Sequence, residues 1–184
     1  MRKTAVIGAI AAALAFGAQQ AAATDFSYNL VEGSYIDGDN YSGFGVAGAW
    51  EFTPEFFGLA GIDLLDFDNS SADGSLMSVG AGYSRAINNN FDIVATAALK
   101  RAKVDGAGSE MGFGIGVGAR GRLVEKLELH GGIEYTDIYD TDTTLQFGGR
   151  WYFNPQFAAG LDLQDNDAGS TLRFTVRWDF GNRM

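Results

Sequence analysis

The apolar residues between Glu110 and Leu123 recur with a period of two. Apart from Gly121, every second residue of EMGFGIGVGARGRL is apolar, and the residues between them are glycine or charged. This is the period of a β-strand whose side chains alternate between two faces. The segment is longer than a typical strand of about five or six residues, but it fits a transmembrane β-strand of about 9–11 residues plus its ends. The pattern predicts a strand with lipid on one side and a polar interior on the other.

Comparable segments recur along the chain, separated by connections of two kinds. Short turns at 53–55, 88–90, 124–126 and 154–156 alternate with longer segments that are rich in aspartate. Short periplasmic turns, longer extracellular loops and an even number of strands are typical of outer-membrane barrels. We therefore predict an all-β, antiparallel, up-and-down transmembrane β-barrel of about ten strands, with eight strands as the alternative. The predicted strands are 25–36, 42–53, 56–66, 75–86, 91–103, 110–123, 127–138, 143–153, 157–164 and 171–180.

Where the alternation is regular, it assigns each side chain to one face of its strand. The first and third strands stay unassigned, because Glu32 has the parity of the apolar Leu30, and Asp63 has that of Leu59 and Leu65. The residues predicted to face lipid are Phe113, Ile115, Val117, Phe174, Val176 and Trp178. The charged residues predicted to line the lumen are Glu110, Arg120, Arg122, Glu128, His130, Glu134, Arg150, Asp162, Arg173, Arg177 and Asp179.

Aromatic residues gather at two levels of the predicted barrel. One set, which includes Trp50, Trp151 and Trp178, lies near the short turns, and a looser set with Tyr35 and Tyr135 lies toward the aspartate-rich segments. Aromatic rings at the two interfaces of a membrane form two such belts. General β-propensity explains how many aromatics there are, but not where they lie.

The N-terminal residues predict a secretory signal peptide, 1–23, followed by a barrel domain, 24–184. Two basic residues precede an apolar run from Ala5 to Phe16, and Ala21–Ala23 form an A-x-A type cleavage site before Thr24. The apolar run is too short to span a bilayer as a helix. Alternative cleavage positions lie at Ala18 and Ala22.

The charge balance excludes one class of partner. The net charge is −10, and removal of Arg2 and Lys3 with the signal peptide leaves 11 basic against 23 acidic residues. Nucleic acid needs a basic surface, so it is not an expected partner. There is no cysteine, which excludes disulfides and thiol chemistry.

The mature chain resembles the small outer-membrane β-barrels of Gram-negative bacteria, namely the opacity-type and OmpA-transmembrane-like proteins. It is most similar to a group whose mature start reads S-Y-N-x-V-E-G-x-Y, as Ser27 to Tyr35 do here. The closing segment TLRFTVRWDF resembles the last strand that barrel-assembly machinery recognises, although four residues follow Phe180. The resemblance implies an outer-membrane location and carries no catalytic residue and no cofactor.

The mixed charges of the predicted lumen have two interpretations. Buried charges must be paired and hydrogen-bonded, so they form either an ion-pair network that seals the barrel or the lining of a narrow pore. The sealed interpretation is favoured. His130 lies between Glu128 and Gly132 with no serine or second histidine nearby, so it is interpreted as part of the network and not as a catalytic base. The sequence 43–48 matches G-x-G-x-x-G, but no helix follows to bind a dinucleotide.

These observations predict a non-enzymatic integral outer-membrane protein with a structural or surface-interaction role and no cofactor or metal. Its termini are expected in the periplasm and its short acidic loops outside the cell. The alternative is a narrow porin-like channel for small solutes. Expected partners are outer-membrane lipid and lipopolysaccharide, with divalent ions bridging the loop aspartates to the latter, and the barrel-assembly machinery during insertion. No feature indicates the oligomeric state.

Overall fold

The chain forms a closed barrel of ten antiparallel strands, as the sequence predicts. The computed structural model describes residues 26–68, 73–106 and 108–181. The predicted signal peptide and its cleavage site lie outside the described residues. The strands are β1 (Leu30–Gly38), β2 (Tyr41–Glu51), β3 (Phe56–Phe67), β4 (Asp73–Asn88), β5 (Phe91–Val104), β6 (Gly108–Val124), β7 (Leu127–Ile138), β8 (Asp140–Tyr152), β9 (Phe157–Asn166) and β10 (Gly169–Asp179).

Each strand pairs with its neighbours in sequence, and β1 closes the sheet on β10. The closing register places Leu30 opposite Asp179 and Glu32 opposite Arg177. Closure leaves no strand edge unpaired, which is what a sheet needs to satisfy its backbone groups inside lipid. Among the described residues, no helix is long and apolar enough to cross a membrane.

The surface of the barrel is inverted relative to that of a soluble protein. Large apolar side chains such as Phe44, Val176 and Phe147 are 66%, 64% and 61% exposed on the outer wall. Charged side chains such as Glu128 and Asp92 are 0% and 1% exposed in the interior. An apolar exterior around a polar interior suits a barrel whose solvent is hydrocarbon.

The predicted start of the first strand is wrong. We expected a strand from residue 25, but β1 begins at Leu30, and the described residues before it, 26–29, are not part of a strand. Phe26 and Tyr28 are instead buried inside the barrel, at 6% and 7% exposure. Burial of two aromatic rings against the interior outweighs the few additional ladder hydrogen bonds that a longer β1 would make.

The connections at the acidic end are even shorter than the aspartate-rich segments that the sequence predicts as loops, because the strands continue into those segments. The β1–β2 connection is only residues 39–40, and the β9–β10 connection only residues 167–168. Positive φ angles make such tight connections possible, at Tyr139 (57°) between β7 and β8 and at Gly106 (84°) after β5. Cross-strand hydrogen bonds satisfy the backbone of these strand ends beyond the apolar wall, where side chains of either polarity are tolerated. The acidic end is therefore a rim of strand ends.

The register assigns the two faces that the sequence leaves open. On β1, Glu32 and Ile36 point inward with Leu30, because they lie opposite the inward Arg177 and Arg173. On β3 the inward residues are mostly apolar, with Asp63 among them. The interior thus has an apolar side, whose buried cluster comprises Tyr28, Leu30, Ala49 and Phe57, with Leu59 and Val94 packed against it.

Candidate functional site: the charged lumen and the N-terminal segment

Three arginines converge on one carboxylate in the lumen. Glu128, near the start of β7, lies 4.0 Å from Arg120 Nη1, 3.5 Å from Arg150 Nη1 and 3.7 Å from Arg177 Nη1. Tyr152 also donates its hydroxyl hydrogen bond to Glu128 Oε2 at 3.1 Å. The arginines come from β6, β8 and β10, so the cluster ties together strands on opposite sides of β7 and β9.

A second carboxylate joins two of the same arginines. Glu32 Oε2 accepts hydrogen bonds from Arg150 Nε at 3.1 Å and from Arg177 Nε at 2.9 Å. Glu32 is not among the lumen residues that the sequence predicts, because its parity with Leu30 hides its direction. The signal that identifies it is the β1–β10 register, which places it opposite Arg177.

His130 is held between a carboxylate and an arginine. Its Nε2 lies 2.5 Å from Asp162 Oδ1, and Arg150 Nη1 lies 2.7 Å from its Nδ1. A guanidinium only donates, so the imidazole nitrogen is the acceptor in the contact with Arg150, while Nε2 faces the Asp162 carboxylate. Both ring nitrogens are thus in contact with members of the ion-pair network.

Two ion pairs lie closer to the acidic end. Lys100 Nζ donates to Glu134 Oε2 at 2.8 Å and to Thr136 Oγ1 at 3.3 Å, passing over the glycine row of β6. A side chain at Gly114 would come within 2.8 Å of both Glu134 and Lys100, so the glycine makes this crossing possible. Arg173 pairs with Asp63 at 2.5 Å, another carboxylate whose face the sequence did not reveal.

The N-terminal segment, residues 26–29, folds into the barrel at the short-turn end. The Arg120 guanidinium stacks between two rings, 4.3 Å from the centroid of Phe26 and 4.2 Å from that of Tyr28. Tyr28 also stacks on Phe57 at 4.2 Å and donates a hydrogen bond to Asp92 Oδ2 at 3.3 Å. Burial raises the pKa of the Tyr28 hydroxyl to about 12, which keeps it a neutral donor.

Asn29 and Glu51 fix this segment to the sheet. Glu51 accepts from the Tyr28 backbone N–H at 2.7 Å and from Asn29 Nδ2 at 2.8 Å, while the Glu51 N–H donates to Asn29 Oδ1 at 2.9 Å. The Phe180 N–H donates to the Asn29 carbonyl at 2.9 Å. Hydrogen bonds therefore hold the segment on two sides, to Glu51 on β2 and to Phe180, the residue that follows β10.

The inward side chains are more deeply buried at the short-turn end of the lumen than toward the acidic end. At the short-turn end, Phe26, Asp92, Glu128, Tyr152 and Asp179 are all buried. Toward the acidic end, inward residues of the middle strands are partly exposed: Ser78, Thr96, Lys100, Glu134 and Thr136.

The remaining residues singled out from the sequence occupy varied positions. Glu110 is exposed at the acidic rim, and Arg122 is half-buried with its guanidinium 5.1 Å from the Phe26 ring. On the outer wall, Ile115 and Val117 are half-exposed, while Phe113, Phe174 and Trp178 are 42%, 50% and 48% exposed. Within the described part of the chain, no group of three or more acidic, histidine or cysteine side chains is arranged to hold a metal ion.

Two porins of known structure share the fold of this barrel. The KdgM porin matches with a TM-score of 0.52 at 11% identity, covering 83% of this chain and 99% of that chain. The NanC porin matches with a TM-score of 0.51 at 8% identity, with the same coverage of each chain. These likenesses show the fold. None of the curated proteins compared matches the sequence significantly.

The sequence itself carries a family match. The family model described as "Outer membrane protein beta-barrel domain" matches residues 8–180, nearly the full length. The closed ten-stranded barrel and the inverted surface agree with that match. This chain belongs to the outer-membrane protein beta-barrel domain family.

Proposed function

We propose that this outer-membrane barrel is a non-enzymatic structural or surface-interaction protein whose lumen does not conduct in the resting state. In this proposal the acidic rim faces the outside of the cell, and both termini lie in the periplasm. The observation that carries it is the layer of buried, mutually paired charges at the short-turn end. The N-terminal segment covers this layer, with Phe26 and Tyr28 packed against Arg120.

The energetics of that layer support a sealed barrel. Glu128 and Glu32 share Arg150 and Arg177, and Arg120 adds a further pair with Asp92 at 3.7 Å. Removing one partner from a buried ion pair costs about 3–5 kcal/mol, because the other charge is left uncompensated. A hydrated ion that crossed this layer would have to displace several such partners at once, which makes steady conduction unfavourable.

The proposal is tested by solute flux into liposomes that contain the refolded protein. We expect no swelling in isosmotic solutions of small sugars, at a protein density at which a general porin gives rapid swelling. Swelling whose rate depends on solute size would contradict the sealed lumen.

A narrow channel is the second candidate function. It is favoured by the partly exposed polar residues of the middle strands, which line the lumen toward the acidic end. Two porins also share the fold at TM-scores above 0.5, although their solutes are properties of those proteins alone. Conduction requires the N-terminal segment to leave the lumen, since Phe26 and Tyr28 lie across its short-turn end.

We also propose the finer relationship to opacity-type and OmpA-transmembrane-like barrels. The start motif from Ser27 to Tyr35 supports it, because its first residues form the buried segment and its later residues form β1. Recognition of β10 by the barrel-assembly machinery during insertion belongs to the same proposal. An in vitro assembly reaction with purified machinery, comparing the full chain with one that lacks 169–184, tests this step.

A further inference from the structure

In the part of the chain that the structure describes, the outer wall carries two basic side chains at the acidic end, both on β5. Arg101 and Lys103 have the parity of the outward Leu99, whereas Lys100 and Ala102 point into the lumen. In the described ranges, the other outward or turn basic residues, Arg85 and Lys126, lie at the short-turn end. The outward charges of the other strand ends are exposed acids: Asp37, Asp66, Asp73, Asp137 and Asp165.

The two cations lie where the apolar wall ends. Arg101 is opposite Met77 on β4 and Met111 on β6, which are 49% and 69% exposed, and Leu99 below it is 59% exposed. One pair further along β5, Lys103 lies opposite Ser75 and Ser109. The surface therefore changes within one strand pair from bare hydrocarbon-facing side chains to cations and hydroxyls. Lipid headgroups occupy this level of a membrane.

The hydrogen-bonding capacity at this point suits a phosphate. Arg101 donates from Nη2 to Ser109 Oγ at 3.3 Å, which occupies one of the five donors of its guanidinium. Lys103 pairs with Asp105 at 2.8 Å, but both side chains are more than half exposed, and such surface pairs are weak. A phosphate monoester presents acceptor oxygens that a guanidinium binds in bidentate fashion. Asp105 pairs with Lys103, and its backbone N–H donates to the Asp73 carbonyl, so two acids border the pair and limit the site to one such group.

We propose that Arg101 and Lys103 bind a phosphate group of an outer-leaflet lipid, whose acyl chains lie along Leu99, Met77 and Met111. The outward charges at the other strand ends are acidic, and only a divalent ion could link them to an anionic lipid. The two cations on β5 can bind such a lipid directly. The proposal rests on the outward orientation of the acidic end, but its binding test requires neither that orientation nor a sealed lumen.

Binding of diphosphoryl lipid A to the full refolded barrel in detergent, with EDTA present, tests the site by native mass spectrometry. We expect the double variant R101Q/K103Q to bind about 30-fold more weakly, since each basic residue near an anionic lipid surface contributes about fivefold. The matched control R85Q/K126Q removes one arginine and one lysine at the opposite end, and it should bind like the wild type. Equal loss in both variants, or no loss in R101Q/K103Q, would overturn the proposal.

Two further binding measurements distinguish recognition of the whole lipid from recognition of its phosphate alone. Inorganic phosphate at the lipid concentration should not displace lipid A, because it lacks the contacts with the apolar wall. Lipid A without its phosphates should bind no better to the wild type than to R101Q/K103Q. The opposite result in either arm would contradict a lipid-phosphate site. Heat-dependent gel mobility shows whether each variant is folded. If the double variant does not fold, the single variant R101Q replaces it, with an expected loss of about fivefold in affinity for lipid A, about 1 kcal/mol.

Discussion

Glycines of the inner face set the distances at which the interior charges pack. A Cβ at Gly160 would lie 2.6 Å from Thr175 Oγ1 and 2.8 Å from Arg150 Cγ, so this position admits no side chain without movement of the network. At Gly33, on the outer face of β1, a Cβ would meet nothing within 4 Å. Gly160 is therefore required by the close packing of the interior, whereas the space around Gly33 would accept a side chain.

Substitution of these two glycines should separate the roles. We expect Gly160→Ala to lower the free energy of unfolding by about 1–3 kcal/mol, the usual cost of overpacking an interior. Gly33→Ala should change it little, because the added methyl group points outward. Urea titration of both variants in lipid vesicles measures the difference, and equal losses would show that the inner face is not tightly packed.

Val117 and Thr141 test the apolar outer wall at two depths. Val117 lies midway along β6, whereas Thr141 is on the outer face of β8 near the acidic rim. We expect Val117→Arg to cost about 2–4 kcal/mol and Thr141→Arg about 0–1 kcal/mol, since the penalty for arginine falls from the midplane to the interface. Equilibrium unfolding in vesicles measures both values. A larger loss at Thr141 would place the membrane elsewhere on the barrel.

Tyr28 predicts a specific dependence of stability on alkaline pH. Burial raises its pKa from 10.0 to about 12, so the folded barrel holds the phenolic proton more tightly than the unfolded chain does. The stability due to this difference is present below pH 10 and is lost as the pH rises toward 12, by up to about 3 kcal/mol.

The variant Tyr28→Phe should lose the part of the alkaline dependence that belongs to this residue. Lysine and arginine titrate in both proteins and cancel in the comparison of unfolding free energies from pH 9 to 12. The exposed Tyr139 supplies the control, because Tyr139→Phe should follow the wild-type profile. Parallel profiles for wild type and Tyr28→Phe would mean that the Tyr28 ring is not buried.

At the scale of elements, the number of strands, their order and most of their bounds follow from the sequence. The period of two is regular in β5 to β8 and in β10, because lipid accepts only apolar side chains on one face and the charged lumen occupies the other. The same rule fails for β1 and β3, where Leu30, Phe57 and Leu59 point inward beside Glu32 and Asp63. Inward residues of both polarities share these two strands, so polarity alone does not reveal the face.

The N-terminal segment and the acidic strand ends could not be predicted for a related reason. Residues 26–29 alternate like a strand, and only the closed barrel supplies the cavity that receives Phe26 and Tyr28. Aspartates such as Asp37 and Asp140 indicate a loop by propensity, yet both lie within strands that project beyond the apolar wall. Strand pairing across the barrel decides both cases, and it is a property of tertiary structure.

The N-terminal segment, which we propose to hold the lumen closed, predicts a gain of conductance. We expect the double variant F26A/Y28A to show ion conductance in planar bilayers, because Arg120 then loses the two rings that hold it in the charged layer, which lets that layer open. The control F52A/F56A removes two exposed aromatics at the same end of the outer wall and should remain silent. Conductance in both variants, or in neither, would show that residues 26–29 do not close the lumen.

For the whole molecule, the barrel combines an apolar wall with an interior held together by charge. The ion pairs that converge on Glu128 and Glu32 link β1, β6, β7, β8 and β10 across the lumen, so they stabilise the closed ring as well as filling it. The acidic rim and the basic pair on β5 then distinguish the surface that we propose to be extracellular. The outward residues thus determine how the barrel meets the membrane, and the inward residues determine how its interior is filled.

The direction of the side chains on β5 gives the most direct test of this account. The chain has no cysteine, so single cysteines at positions 95 to 99 can each be spin-labelled in the refolded protein in vesicles. We predict that labels at Ala95, Ala97 and Leu99 are accessible to oxygen dissolved in lipid, and that labels at Thr96 and Ala98 are shielded from it. A reversed alternation, or no alternation along these five positions, would contradict the account.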